Sequence, residues 1–145
     1  MISDHWSERF LLLAKHVAQW SKDPSTRVGA VIVDDLRHVV SVGYNGFPRG
    51  IKDDHRLTVR EEKYPLVVHA EANAILNATV PVRGCHLYLW PFPPCSECAK
   101  LIIQSGILMV HAPKALIPQR WAMDVNRANL TLLEADIPTE FHGDV

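Results

Sequence analysis

The chain has 145 residues, 48% of them apolar and 21% charged, with fifteen Lys plus Arg against sixteen Asp plus Glu. A net charge of −1 lacks the basic surplus needed to track a phosphate backbone, which disfavours a nucleic-acid partner while leaving room for one local basic pocket. The length suits one domain over residues 1–145, three cysteines are an odd count for a disulfide framework, and no run nears the roughly 20 apolar residues of a membrane helix, so the expected setting is the cytoplasm.

From Asp4 to about Trp20, the residues Phe10, Leu13, Ala14, Val17 and Trp20 recur at three- and four-residue steps, which predicts an amphipathic helix capped by Ser3 or Asp4. Asp23-Pro24-Ser25 ends it. Two β-branched runs, Val28–Val33 and Val39–Val42, flank the polar Asp34-Asp35-Leu36-Arg37 and read as a hairpin. Asn45 to about Pro65 reads as a long functional loop with a short helical piece near Arg60–Lys63. His69–Ala78 is rich in helix formers, and His86–Trp90 is a strand candidate. After Pro91, Pro93 and Pro94, a helix runs from Cys95 to about Gln104 and is closed by Gly106. Ile107–His111 reads as a strand, about Gln119–Arg127 as a helix and Leu130–Leu133 as a last strand. The expected fold is α/β, with about five strands in a mixed sheet and helices on both faces.

Three potential zinc ligands fall at the starts of two predicted helices: His69 opens one, and Cys95 and Cys98 open the other. Positions three apart share a helix face, and a helix N-terminus favours thiolate over thiol. Three protein ligands leave a fourth position for water, as in catalytic rather than structural zinc sites. Glu71, two residues past the histidine, is placed to hydrogen-bond that water. Alone, Cys-x-x-Cys also occurs in redox pairs, or in structural zinc sites that Cys85 or another histidine would complete. His5, His16, His38, His55, His86, His111 and His142 are expected to have no catalytic role. Cys85 reads as a small buried hydrophobe, and Trp6, Trp20 and Trp121 as core or interface anchors.

His69-Ala70-Glu71 with Pro94-Cys95-Ser96-Glu97-Cys98 resembles the His-x-Glu and Pro-Cys-x-x-Cys signature of the cytidine deaminase superfamily. Ser21-Lys22-Asp23-Pro24-Ser25-Thr26-Arg27-Val28-Gly29-Ala30 and Gly43-Tyr44-Asn45-Gly46-Phe47-Pro48-Arg49-Gly50 are similar to segments of deoxycytidylate deaminases, in that family's order. The resemblance spans roughly residues 10–110. It implies a three-layer cytidine-deaminase-like fold and hydrolysis of dCMP to dUMP and ammonia. In that scheme His69, Cys95 and Cys98 hold Zn²⁺, and Glu71 moves a proton from the hydrolytic water to the base. Asn45 contacts the sugar, and Lys22, Ser25 and Arg27 lie near the 5′-phosphate. Ile51 stands where the family often has Cys, in a region through which some members respond to dCTP and dTTP. The run Trp90-Pro91-Phe92-Pro93-Pro94 is longer than the common spacing and should reshape one wall of the base pocket.

A nucleoside or tRNA base deaminase and a non-catalytic zinc- or nucleotide-binding module are the competing readings. The intact Glu71 and the charge balance count against both the silent module and the tRNA enzyme. The resemblance also implies a homo-oligomer, a dimer or hexamer, with Ile102, Ile103, Ile107, Leu108 and Val110 as candidate interface surface.

Overall fold

Ser3 accepts the Trp6 amide hydrogen and starts helix α1, Asp4–Ala18, in the computed structural model, which describes residues 2–143 and 145. The stripe Phe10, Leu11, Ala14 and Val17 packs onto Val31, Val33 and Tyr88, and each large side chain removed from water contributes about 1.5–3 kcal/mol. The next two elements form the expected hairpin, β1 (Gly29–Val33) and β2 (Val39–Tyr44). Its turn is held by the Asp34 carboxylate, which accepts the amides of Leu36 and His38 at 3.0 and 2.8 Å. A 3₁₀ turn at His55–Thr58 and a short helix α2 (Arg60–Lys63) then interrupt the long loop. The remaining elements are α3 (Ala70–Asn77), β3 (His86–Trp90), α4 (Ser96–Ser105), β4 (Met109–Pro113), α5 (Gln119–Glu134) and β5 (Thr139–His142).

The strands form one mixed sheet in the order β2-β1-β3-β4-β5. β1 is antiparallel to both β2 and β3, whereas β3–β4 and β4–β5 are parallel. Helix α1 covers one face. On the other, Ala70 and Ala74 of α3, Ala99 and Ile102 of α4, and Ala128 and Leu132 of α5 pack with Ala30, Ile32, Leu87 and Leu89. All five residues of β1 are therefore buried, as expected for a strand covered on both sides. Gly43 permits the close approach of α3 to β2: a Cβ there would strike the Ala70 carbonyl and the Ala74 amide of α3. Gly106, at φ 82°, closes α4 in the left-handed conformation.

Three expectations need correction. Leu130–Leu133 is not a strand but the last part of α5, and the fifth strand is Thr139–His142. Four residues, Leu-Thr-Leu-Leu, cannot distinguish a period of two from one of 3.6. Over the whole helix, Ala128 and Leu132 are buried one turn apart while Leu130 and Leu133 face outward. β4 begins at Met109, two residues later than expected, because Ile107 and Leu108 still belong to the connection after Gly106. Ile102, Ile107 and Val110 do not form an interface surface, since they lie in the core beneath α4 and the sheet. Ile103 is partly buried, and only Leu108 of the five is exposed.

Candidate metal centre and active site

His69 precedes the first turn of α3 in extended backbone conformation, and Cys95 does the same for α4. Neither side chain caps its own helix, so both are free to turn toward a shared point. There they meet Cys98, one turn into α4. His69 Nδ1 lies 3.4 Å from the sulfurs of both Cys95 and Cys98. A tetrahedral zinc with ordinary Zn–S and Zn–N bonds has an S···N edge of about 3.5 Å. The donor set and its spacing therefore fit that ion.

The three groups also share protons in a way that suits a cation. A hydrogen bond with Cys98, followed by that with His69, holds the Cys95 thiol down to about 4. The bond with Cys95 pushes His69 up to about 9. Cys98 is driven upward by its bond with Cys95 and by burial. A bound dication would displace these protons and hold both sulfurs as thiolates. Glu71, in the first turn of α3, is buried at 5% exposure, and burial raises its carboxyl above the ordinary range.

These groups open onto a cavity of about 620 Å³, within the range of small-molecule sites. His69, Glu71 and Cys95 line it. Phe92 and Pro93, which follow a cis Trp90–Pro91 peptide, contribute to its wall, so the proline-rich run does shape the pocket. The Phe92 ring meets Trp121 edge-on at 5.6 Å, which makes Trp121 a cavity residue rather than only a core anchor. Ser25, Thr26, Arg60, Lys63, Tyr64 and Arg120 supply polar groups.

Of the expected substrate contacts, Ser25 and Asn45 line the cavity, whereas Lys22 and Arg27 do not. Lys22 is exposed and pairs with Asp53 at 3.3 Å. The exposed Arg27 lies with its Nε 3.5 Å from the Asp23 carbonyl. Both placements go with the loop's turn, in which Asp23 accepts the amides of Ser25 and Thr26. Asn45 is 7% exposed and already well used. Its Oδ1 accepts the Val28 amide at 2.9 Å, and its Nδ2 donates to the Thr26 carbonyl at 2.9 Å. One Oδ1 lone pair is left for a ligand hydroxyl.

The cations that do line the cavity are Arg60, Lys63 and Arg120. Lys63 Nζ is held between Asp23 Oδ1 at 3.3 Å and Ser25 Oγ at 3.2 Å. Among the described residues, neither Arg60 nor Arg120 forms an ion pair; each lies over a neighbouring ring, of Tyr64 and Trp121 respectively. The spacing Arg60-x-x-Lys63 within a long loop was a usable sequence signal. Arg120 offered none, because only the placement of α5 brings it to the site.

A His-Cys-Cys triad beside a buried carboxylate, at the edge of a nucleotide-sized cavity, is the layout of a zinc-assisted hydrolase. Residues 4–112 match the family model described as the cytidine and deoxycytidylate deaminase zinc-binding region, and the chain belongs to that family. It is 49% identical over 109 residues to an uncharacterized deaminase of Aliivibrio fischeri, covering 75% of this chain and 73% of that one. It is 50% identical over 109 residues to the deoxycytidylate deaminase of Homo sapiens, covering 70% of this chain. The match spans 61% of the human protein's length. The dCMP deaminase of cyanophage S-TIM5, solved with dCMP and dUMP, has the same fold: TM-score 0.79 at 22% identity, over 98% of this chain and all of that one.

Proposed function

We propose that residues 1–145 act as one zinc-dependent deaminase domain that converts dCMP and water to dUMP and ammonia. The observation that carries this reading is the meeting of His69, Cys95 and Cys98 beside Glu71, at the edge of a cavity that three cations also line. Zinc on the three ligands would supply Lewis acidity, bringing the pKa of the hydrolytic water toward ~7. Glu71 accepts one proton of that water and delivers it to N3 of the base; as the C4–N bond breaks it takes the second from the new C4 hydroxyl and passes it to the departing amino group, which leaves as ammonia. Phe92 and Trp121 flank the flat base and exclude water. The spare Oδ1 lone pair of Asn45 accepts from a sugar hydroxyl. Arg60 and Arg120, with Ser25, bind the 5′-phosphate; this moves the phosphate contacts away from Lys22 and Arg27.

The deciding experiment measures ammonia release by zinc-replete protein from dCMP, CMP, dCTP, deoxycytidine and cytosine. A clear preference for dCMP is expected. Equal turnover of deoxycytidine would remove the phosphate site from the account, and turnover of a tRNA stem-loop alone would replace the substrate class.

Self-association belongs to the same proposal. The outer face of α5 exposes Met123, Leu130 and Leu133, and α4 exposes Leu101; these replace the buried isoleucines as contact candidates for a second copy. Sedimentation showing a monomer at working concentration would refute it. A reducing, cytoplasmic setting is also proposed, on three free cysteines; no helix among the described residues is long and apolar enough to cross a membrane.

A further inference from the structure

The face of the sheet beneath α1 carries a second set of ligand atoms that deamination does not use. Residues two apart on a strand share a face, so His86 lies on the same side of β3 as Tyr88, which packs against Phe10 of α1. His111 of β4 is in register with Tyr88 and with Glu140 of β5, and His142 follows Glu140 by two. The His69–Cys95–Cys98 group belongs instead to the helices on the opposite face.

His111 and His142 are buried, at 1% and 6% exposure. His111 Nδ1 lies 3.0 Å from His142 Nε2, and Glu140 Oε1 lies 3.5 Å from the same His142 nitrogen. All three ligand atoms fall within 4.8 Å of one another. A tetrahedral ion with N and O ligands near 2.0–2.1 Å has edges of about 3.3–3.4 Å, and the 3.0 and 3.5 Å separations straddle that value. Two imidazoles and a carboxylate form a donor set suited to zinc and its neighbours among first-row divalent ions.

The surroundings orient this set. His111 Nε2 meets His86 Nδ1 at 2.8 Å, and the Tyr88 ring stacks on His111 at 4.2 Å with planes 9° apart. When Nε2 donates to His86, the Nδ1 lone pair of His111 points at His142 and Glu140, as an outer partner fixes the tautomer of a metal-bound histidine. The Glu140 side chain is 40% exposed, which gives an ion a route from solvent.

We propose that His111 Nδ1, His142 Nε2 and Glu140 Oε1 form a second site for a zinc-type divalent cation, which clamps β5 to β4, with His86 as the positioning residue for His111. The test is metal content of the intact protein after saturation with Zn²⁺ and removal of loose metal by gel filtration. Two zinc ions per chain are expected for the wild type and one for Glu140→Gln, a change at a half-exposed side chain that keeps its shape and leaves deamination intact. A Cys95→Ser/Cys98→Ser protein is expected to keep one ion. Titration with Co²⁺ should show thiolate charge-transfer absorption from the first centre and only ligand-field bands from the second. One ion in both wild type and Glu140→Gln, or two in both, would overturn the proposal, as would loss of all zinc from the double cysteine variant.

Discussion

Asp124 of α5 closes the N-terminus of α4 through Ser96: its Oδ2 accepts the Ser96 amide at 3.0 Å and its Oδ1 accepts the Ser96 hydroxyl at 2.7 Å. Cys95, the residue in the capping position, makes no side-chain cap bond, so the first turn of α4 is completed from another helix. Ser96 lies between Cys95 and Cys98. The same two bonds hold the Asp124 carboxyl below its usual range, the hydroxyl contributing most.

Replacing Asp124 with Ala should therefore loosen the metal centre without touching a ligand. Loss of a cap costs about 1 kcal/mol, and loss of an outer partner typically weakens metal affinity 10–100-fold. Competition with a chromophoric chelator would measure this, and Asp124→Asn should recover part of the affinity.

Gly43→Ala should displace α3. The added methyl meets backbone atoms of Ala70 and Ala74 rather than a flexible side chain, and overpacking of this kind costs about 1–3 kcal/mol. Urea unfolding should show a lower midpoint. The activity of the folded fraction should fall as well, because α3 carries Glu71 and follows His69.

Glu71→Gln keeps the shape of the side chain and removes its capacity to carry a proton. A decrease in kcat of about 10²–10⁴-fold is expected, with zinc content unchanged. Near-normal turnover would reject the proton-transfer role of Glu71.

Arg60→Ala combined with Arg120→Ala should lower kcat/KM for dCMP about tenfold or more, since charged hydrogen bonds to phosphate contribute about 1.5–3 kcal/mol before solvent screening. Turnover of deoxycytidine should stay the same. An equal loss on both substrates would assign the two arginines to packing instead.

The metal centre was legible because its grammar is local: His69 and Glu71 two apart, Cys95 and Cys98 three apart, each at a helix start that sequence can mark. The sheet was legible where strands are flanked by turn residues, as in the hairpin around Asp34–Arg37. Leu130–Leu133 was misread because the helix containing it shows its period only across several turns. The full set of cavity cations was not legible for a different reason. Lys22 and Arg27 lie in the right loop but point away, while Arg120 arrives from a helix distant in the chain.

Asn45 and Ser21 stitch the loop before β1 to the end of β2: Ser21 Oγ donates to the Asn45 carbonyl at 2.8 Å, and the Asn45 amide braces Thr26 and Val28. These bonds tie that wall of the cavity to the sheet. The facing segment, residues 47–67, leaves this frame at the Gly46–Val68 bridge and returns to it through the buried Lys63–Asp23 pair. The cavity thus has one wall riveted by neutral hydrogen bonds to backbone and a facing wall fastened by charge, through the Lys63–Asp23 and Lys22–Asp53 pairs.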